Sequence, residues 1–194
     1  MPCLEIGQIN FDMIYSTQRN FVNDSELKII ADQLTNTPGW IYRTNFWRYY
    51  LVSGLNPYSE LDTESWYGRQ DIVSKLDQPW RTLFERVYEL SGSRLLIQRY
   101  ALTGQTQNQS QTLHYDTSLN LNGDFRSYLI YLNHKWDMAQ GGETHFELSH
   151  CQRHQEFPEP GKLIEFNSQT LHKGNAPLVP NMLRMTLVIH GQLL

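Results

Sequence analysis

The tripeptide His114-Tyr115-Asp116 decides how the second half of this sequence is interpreted. Side chains alternate between the two faces of a strand, so a histidine and an aspartate two residues apart on a strand lie on the same face. Two histidines and one carboxylate form a ligand set that holds non-haem Fe(II) and leaves coordination positions open. A distant histidine, His172 in the segment TLHKG (residues 170–174), is well placed to be the third ligand. The pattern therefore predicts a metal centre formed by His114, Asp116 and His172.

A charged residue inside an apolar run gives a second signal. Arg184 lies in the sequence MLRMTLVI, residues 182–189, which is typical of a buried strand. A buried guanidinium is costly unless an anion accompanies it. The carboxylate of a bound co-substrate would supply that anion and accept two parallel hydrogen bonds. A salt bridge to a carboxylate of the protein itself is the alternative.

Length and composition are those of one globular domain. The chain has 194 residues, of which 40% are apolar and 12% aromatic, and its formal net charge of −4 argues against nonspecific binding to nucleic acid. No apolar run is long enough to span a bilayer, and residues 1–10 lack the pattern of a signal peptide. Cys3 and Cys151 are the only cysteines, so no disulfide framework is indicated. We therefore expect a single domain over residues 1–194 in a reducing, cytoplasmic compartment.

Helical and strand patterns are mixed in residues 1–93. Apolar residues recur at helical spacing after Asp24 or Ser25 and again after Asp77, and these side chains are predicted to cap two helices. Aromatic and β-branched residues at 40–52 predict one or two strands between the helices. This half is expected to support the site rather than to carry its motifs.

From residue 94 onward the apolar pattern changes to period 2, which predicts strands. The predicted strands cover residues 95–100, 126–133, 162–166, 169–173 and 183–189. Helices followed by many short strands with turn signals predict a mainly β chain, with N-terminal helices packed on an antiparallel jelly roll. Residues 94–194 would form the core that carries the metal and co-substrate motifs.

Two loops are candidates for the mouth of the site. One is the aromatic stretch Tyr58 to Tyr67 within residues 53–70, and the other is the Gln- and Asn-rich loop 103–112, whose amides could bind a peptide backbone. A further group of residues could be considered as zinc ligands but fits no strong zinc pattern. It comprises His145, His150, Cys151 and His154.

Four blocks of residues in a fixed order resemble the iron(II)- and 2-oxoglutarate-dependent dioxygenases, and within them the prolyl 4-hydroxylase-like group. A single His-x-Asp occurs by chance, but four ordered blocks are a specific pattern. The blocks are Arg99-Tyr100 before a loop and His114-x-Asp116; Tyr131-Leu132-Asn133 followed by Trp136 and Gly141-Gly142-Glu143-Thr144-x-Phe146; Pro160-Gly161-Lys162-Leu163-Ile164-x-Phe166; and His172-Lys173-Gly174 with Pro177 and Arg184. The resemblance does not extend to the N-terminal half.

The resemblance implies a double-stranded β-helix, a cupin-like jelly roll, with iron held by the three ligands named above. It also implies that Arg184 pairs with the distal carboxylate of 2-oxoglutarate, that Tyr131 hydrogen-bonds the same carboxylate and that Tyr100 lines the same pocket. The implied cofactors are Fe(2+), 2-oxoglutarate as co-substrate and O2, with ascorbate as a further candidate.

The implied activity is hydroxylation of an unactivated C–H bond, with a prolyl or other residue of a peptide or protein as the substrate. One alternative is a hydroxylase of a free amino acid or a small natural-product precursor. Another is a jelly-roll binding protein without catalysis, which the presence of all three ligands and Arg184 disfavours. Relatives that repair nucleic acids usually carry a second arginine six residues after the first. This chain has His190 there, which argues against a nucleic-acid substrate.

Overall fold

Two antiparallel sheets form most of the part of the chain that the structure, a computed structural model, describes: residues 14–36, 40–43, 46–49, 73, 76–149 and 152–194. The helices with described bounds are α1 (Asp24–Asn36) and α2 (Trp80–Leu90), and a short 3-10 helix covers Met138–Gln140. The strands are β1 (Ile14–Gln18), β2 (Trp40–Arg43), β3 (Phe46–Tyr49), β4 (Leu95–Gln105), β5 (Asp124–Tyr131), β6 (Thr144–Ser149), β7 (Gln152–Glu156), β8 (Leu163–Asn167), β9 (Leu171–Gly174) and β10 (Arg184–Leu193).

The larger sheet has seven strands in the order β1-β8-β5-β10-β4-β3-β2, and the smaller sheet has three in the order β7-β6-β9. Strand β10 lies at the centre of the larger sheet, between β4 and β5. Its register with β4 runs from Arg184 opposite Gln105 to Leu193 opposite Leu95. The central strand therefore carries the predicted buried arginine into the middle of the larger sheet.

The two faces of the larger sheet have different neighbours. One face packs on α1 and α2 in an apolar cluster that includes Leu34, Phe84 and Leu187, each at most 1% exposed. The other face turns towards the smaller sheet, where the rings of Phe166 and Phe146 lie 5.1 Å apart, centroid to centroid. Each large apolar side chain that is fully buried contributes about 1.5–3 kcal/mol, so the helices hold the larger sheet firmly from behind. The space between the sheets is left for the site.

Helix α1 begins with a reciprocal pair of hydrogen bonds. The Asn23 side chain accepts a bond from Glu26 N at 3.0 Å, and the Glu26 carboxylate accepts one from Asn23 N at 3.3 Å. This is a capping box, so the capping residue is Asn23 rather than the predicted Asp24 or Ser25. At the start of α2, Asp77 accepts from Arg81 N through its backbone carbonyl, whereas the sequence predicts a side-chain cap.

The predicted mainly β architecture is confirmed, and α1 and α2 lie at the predicted positions. The residues predicted as one or two strands at 40–52 contain two, β2 and β3. Strands β1 and β7 were not predicted, because both are short and carry polar residues. The aromatic loop 53–70 lies outside the described residues. Within the described residues, no helix is long and apolar enough to cross a membrane.

Candidate functional site

A cavity of about 360 Å³ lies between the two sheets. Both sheets and the segment before Thr117 contribute to its wall. The lining residues include Arg99, Ala101 and Thr103 of β4, Gln111, Thr112, His114, Tyr115, Asp116, Leu129, Thr144, His172, Gly174 and alternate residues of β10 from Arg184 to His190. The alternation along β4 and β10 is that of strands with one face towards the cavity and the other towards the helices.

The three predicted metal ligands meet at one end of this cavity. The distance from His114 Nε2 to Asp116 Oδ1 is 3.6 Å, and from His172 Nε2 to Asp116 Oδ2 it is 3.5 Å. Their ligand atoms all lie within 4.8 Å of one another. Among the described residues, this is the one group of three or more His, Cys, Asp or Glu side chains so arranged.

The backbone brings the two histidines together in a way that the sequence argument did not foresee. His114 is not on a regular strand; it forms an isolated antiparallel bridge with His172. His114 N donates to His172 O at 2.9 Å, and His172 N donates to His114 O at 3.0 Å. Asp116 N in turn donates to Ser168 O at 2.9 Å. The predicted residues are brought together, but the shared strand that was the reason for predicting them is absent.

The hydrogen bonds of the two imidazoles fit a metal. Nδ1 of His114 lies 2.9 Å from Thr112 O, and Nδ1 of His172 lies 2.9 Å from Thr170 O. A carbonyl oxygen only accepts, so each Nδ1 carries a hydrogen, and in the neutral form of each ring Nε2 has the lone pair that binds a metal. Burial lowers the pKa of His172, which keeps that ring neutral at pH 7. Neutral imidazoles with free Nε2 atoms beside a carboxylate are the donor set that Fe(II) takes.

Asp116 is the buried anion of the site, with 7% of its side chain exposed. The pKa of its carboxyl is lowered to about 2, although burial alone would raise it. The groups that lower this pKa include the imidazoles of His190 and His172, which burial itself keeps neutral near pH 7. At neutral pH the stabilising neighbours are therefore the Ser127 hydroxyl, 2.8 Å from Oδ2, and the Arg99 guanidinium.

Arg184 lies in the wall of the same cavity and is 2% exposed. Its Nε donates to Gly142 O at 2.6 Å, and its two terminal nitrogens donate to Gln105 Oε1 at 2.7 Å and to Thr144 Oγ1 at 2.9 Å. Among the described residues no carboxylate oxygen lies within 4.0 Å of it, so the salt-bridge alternative finds no partner there. Burial lowers the pKa of the guanidinium, which is nevertheless a cation at neutral pH.

The terminal nitrogens of Arg184 carry four N–H groups, two of which make the bonds to Gln105 and Thr144. A fork of two parallel N–H groups is the arrangement that binds a carboxylate bidentately. Gly142 makes the close approach of the chain to Arg184 possible. Its φ is +79°, and a Cβ there would lie 3.1 Å from Arg184 Cδ. Gly142, the second glycine of the Gly-Gly pair, therefore permits both the turn and the close packing of the backbone against the Arg184 side chain.

The two predicted tyrosines do not occupy equivalent places. Tyr131 is fully buried with its ring 5.2 Å from the Arg184 guanidinium, and its hydroxyl contacts Thr144 Oγ1 at 2.7 Å and Glu156 O at 3.0 Å. It is thus beside the arginine, but its hydroxyl is bonded to the protein. Tyr100 lies on the helix side of the larger sheet, edge-on to Phe84 at 5.3 Å. The structure does not bring it to the cavity, because neighbouring residues of β4 point to opposite faces.

The loop predicted at 103–112 begins later than expected, since residues 103–105 belong to β4. Gln105 is 1% exposed, and its Nε2 donates to Gly174 O at 3.1 Å while its Oε1 accepts from Arg184. Gln111 accepts from Gly174 N at 3.0 Å. Gln105 therefore binds the chain itself, which corrects the prediction that its amide faces a bound peptide, whereas Gln111 lines the cavity and its role in binding a peptide stays a prediction.

The proposed zinc group receives no support from the described residues. His154 Nε2 lies 2.7 Å from Glu156 Oε1 on the same strand, and His150 and Cys151 lie outside the described residues. Sequence reasoning also missed Ser127, Ser168 and a role for His190. A signal existed only for His190, which lies six residues after Arg184 and so on the same face of β10.

No protein-family model matches the sequence, and no curated protein is similar to it at a significant level.

Solved structures are similar to this one over most of its length. A prolyl-4-hydroxylase from Pseudomonas putida has 14% sequence identity and a TM-score of 0.58, with 92% of each chain covered. A prolyl hydroxylase from Trichoplax adhaerens, in complex with a peptide of the hypoxia inducible factor oxygen degradation domain, has 14% identity and a TM-score of 0.57, covering 91% of this chain and 82% of its own. An oxidoreductase of the 2OG-Fe(II) oxygenase family from Burkholderia pseudomallei has 17% identity and a TM-score of 0.61, with the same coverage.

These similarities establish the fold. The chain has the fold of the 2-oxoglutarate- and Fe(II)-dependent oxygenases, and specifically of the group that contains the prolyl 4-hydroxylases. The resemblance read from four sequence blocks is therefore confirmed at the level of architecture.

Proposed function

We propose that this protein is an Fe(II)- and 2-oxoglutarate-dependent dioxygenase that hydroxylates an unactivated C–H bond. The observation that carries the proposal is a single cavity with a His-Asp-His ligand set at one end and, in its wall, a buried arginine that has no carboxylate partner among the described residues. A double-stranded β-helix formed by the two facing sheets, in one domain over residues 1–194, is part of this proposal. Ascorbate remains a prediction of the resemblance alone.

The residues divide into two sets by the ligand that each would hold. His114, Asp116 and His172 would bind Fe(II) through two Nε2 atoms and one carboxylate oxygen. Arg184 would bind the distal carboxylate of 2-oxoglutarate through its guanidinium, with the Tyr131 ring 5.2 Å away. When bound, iron would couple the oxidative decarboxylation of 2-oxoglutarate to insertion of oxygen into the substrate.

For the substrate, we propose a prolyl or other residue of a peptide. The proposal is supported by the fold shared with prolyl hydroxylases, one of which is described with a bound peptide. A free amino acid is the second candidate, and Arg99 favours it. Its side chain lines the cavity, is 33% exposed and donates to Asp116 O, so a cation stands beside the metal ligands where it could attract a substrate carboxylate.

The experiment that tests the proposal measures two products at once. Purified protein with Fe(II), 2-oxoglutarate and O2 is incubated with a library of proline-containing peptides and, separately, with free amino acids. Succinate and any product 16 Da heavier are measured by mass spectrometry, 16 Da being about the mass of one inserted oxygen atom. Succinate formation that requires Fe(II) and is stimulated by one substrate class is expected. Absence of Fe(II)-dependent succinate in every mixture would contradict the proposed chemistry.

A further inference from the structure

A buried polar network lies against the Asp116 carboxylate. It consists of Ser127 and Ser168, each 0% exposed, and His190, 4% exposed. Ser127 Oγ is its centre: Asp116 Oδ2 and Ser168 Oγ each lie 2.8 Å away, and His190 Nδ1 lies 2.9 Å away. None of these three residues has a role in the proposed reaction. Burying a hydroxyl group costs free energy unless it is hydrogen-bonded, and here the hydroxyl groups bond to one another and to a metal ligand.

The directions of the three hydrogen bonds follow from the chemistry of the groups. A serine hydroxyl has one hydrogen to donate and two lone pairs that accept. An ionised carboxylate only accepts, so Ser127 donates its single hydrogen to Asp116. The oxygen of Ser127 must then accept from the Ser168 hydroxyl and from Nδ1–H of His190. All three neighbours of Ser127 Oγ are satisfied by one arrangement, and no other arrangement satisfies them with an ionised Asp116.

Three separate parts of the fold hold this network in place. Ser127 lies on β5 and His190 on β10, directly opposite each other in the strand register. Ser168 follows β8; its N donates to Phe125 O at 2.9 Å, and its O accepts from Asp116 N at 2.9 Å. The serine that bonds the Asp116 carboxylate is therefore fixed by paired strands, and the Asp116 backbone is tied to the same network.

We propose that Ser127, held by Ser168 and His190, is the positioning residue that fixes the Asp116 carboxylate so that it binds the metal through one oxygen. This inference rests on the proposed function. Oδ1 lies 3.6 Å from His114 Nε2 and Oδ2 lies 3.5 Å from His172 Nε2, but only Oδ2 also accepts the hydrogen bond from Ser127, which reduces its capacity to bind a metal. If both carboxylate oxygens bound, they would fill a coordination position that 2-oxoglutarate or O2 requires. Ser127 thus keeps the site open for the co-substrate as well as orienting a ligand.

The test replaces the hydroxyl and measures binding in two steps without turnover. Anaerobic calorimetry measures the affinity of Ser127→Ala for Fe(II), and then the affinity of the iron-saturated protein for 2-oxoglutarate. Removing an outer partner of a metal ligand costs about 10- to 100-fold in metal affinity, which is the expected result for the first step. For the second step we expect weaker 2-oxoglutarate binding even at saturating Fe(II), because the freed carboxylate can bind through both oxygens.

Three further variants separate positioning from folding. Ser127→Thr keeps the hydroxyl and should restore both affinities towards those of the wild type. Ser168→Ala removes a donor to Ser127 but no bond to Asp116, so its effect should be smaller than that of Ser127→Ala. Ser91→Ala is the matched control: Ser91 is a buried serine whose hydroxyl donates to Tyr88 O at 2.5 Å, outside the cavity lining. It should bind Fe(II) and 2-oxoglutarate like the wild type.

The outcomes distinguish failure of the inference from failure of the proposed function. A wild-type protein that binds no Fe(II) would refute the proposed function itself. A wild type that binds Fe(II), together with a Ser127→Ala variant of unchanged affinities, would overturn the positioning role. Losses of equal size in Ser91→Ala, or a folded Ser127→Thr no better than Ser127→Ala, would overturn it as well.

Discussion

The side chains that would bind ligands carry a negative charge at the metal end of the cavity and a positive charge at the arginine end. At the metal end, the ligand side chains include the ionised carboxylate of Asp116, which lies 3.6 Å from His114 Nε2 and 3.5 Å from His172 Nε2, with the Arg99 guanidinium 3.9 Å away. At the arginine end, Arg184 is a cation whose hydrogen-bond acceptors are neutral oxygens. A buried charge costs free energy until an opposite charge compensates it. The comparison shows a cavity suited to a cation and an anionic molecule together, rather than to one apolar ligand.

An arginine on the helical side of the protein shows what a complete pair looks like. Arg86 of α2 binds both oxygens of Glu26 of α1, at 2.8 and 2.6 Å. That hydrogen bonding is the main reason that the pKa of Glu26 is lowered and the pKa of Arg86 is raised. Arg184 has the opposite shift, because burial is uncompensated by a protein carboxylate. The difference separates an arginine that stabilises the fold from one placed to bind a ligand.

The largest effect is expected from breaking the metal end. His172→Ala removes one of three ligand atoms, so metal-dependent turnover should fall to background. Metal content measured by elemental analysis and succinate formation measured by mass spectrometry check this. His154→Ala is the control, since His154 is 43% exposed and pairs with Glu156 outside the cavity lining. Stoichiometric iron binding that survives replacement of His114, Asp116 and His172 in turn would contradict the ligand assignment.

Breaking the arginine end should leave the metal end intact. Arg184→Ala should weaken 2-oxoglutarate binding while Fe(II) stays bound, because only the carboxylate partner is lost. Truncating one member of a buried charge pair costs roughly 2–5 kcal/mol, which is about 30- to 5,000-fold at ~1.4 kcal/mol per decade. Calorimetric titration of the iron-loaded protein measures it. Arg86→Ala should bind 2-oxoglutarate normally, and an unchanged affinity in Arg184→Ala would assign that arginine to structure alone.

A substitution can also supply Arg184 with a carboxylate partner from the protein, which would neutralise the positive charge at the arginine end of the cavity. Gln105→Glu is nearly isosteric and would place a carboxylate oxygen where Gln105 Oε1 now lies, 2.7 Å from Arg184. The internal pair should compete with the co-substrate. We expect a loss of about 10- to 100-fold in 2-oxoglutarate affinity, since a hydrogen bond to a charged group contributes roughly 1.5–3 kcal/mol. Gln111→Glu, which adds a carboxylate beside Gly174 N, is the matched comparison; an equal loss there would point to general repulsion.

The smallest effect is expected for the complete pair on the helices. Glu26→Gln should destabilise the protein at pH 7 by about 0.5–1 kcal/mol, the range of partly exposed ion pairs. Because the folded-state pKa of Glu26 is lowered, the pair contributes stability above the ordinary glutamate pKa and loses it as pH falls through the folded value. Urea unfolding of both proteins at neutral and acid pH measures this. The gap between them should close in acid, and a constant gap would contradict the assignment.

The sequence predicted the proposed metal ligands and Arg184, but it did not predict the backbone structure that brings them together. Residue type and order were enough for the ligands and for Arg184, because few side chains can bind a metal or tolerate burial as a cation. The shared strand predicted for His114 and Asp116 was wrong, since the link between His114 and His172 joins residues 58 positions apart and leaves no local pattern. Long-range backbone pairing of this kind is invisible to period-2 or period-3.6 analysis.

The tyrosines and the serines show the same limit at the level of single side chains. Tyr100 and Tyr131 are both buried aromatic residues of strands, and only the strand register separates the one beside Arg184 from the one on the helix side. Ser127 and Ser168 carry no sequence signal, because serine is common and its partners come from other strands. Their contribution depends on three-dimensional neighbours, which one sequence does not reveal.

The main-chain bridge between His114 and His172 sets the backbone geometry of the site independently of the side chains that would bind the metal. Two N–H to carbonyl bonds set the spacing of these positions, and neither bond involves a side chain. Exchanging either imidazole for another donor would therefore change the side chain that binds the metal while the backbone positions of the two residues stay paired. At either of these two positions, a single substitution could therefore change the metal preference of the site while the backbone bridge is kept.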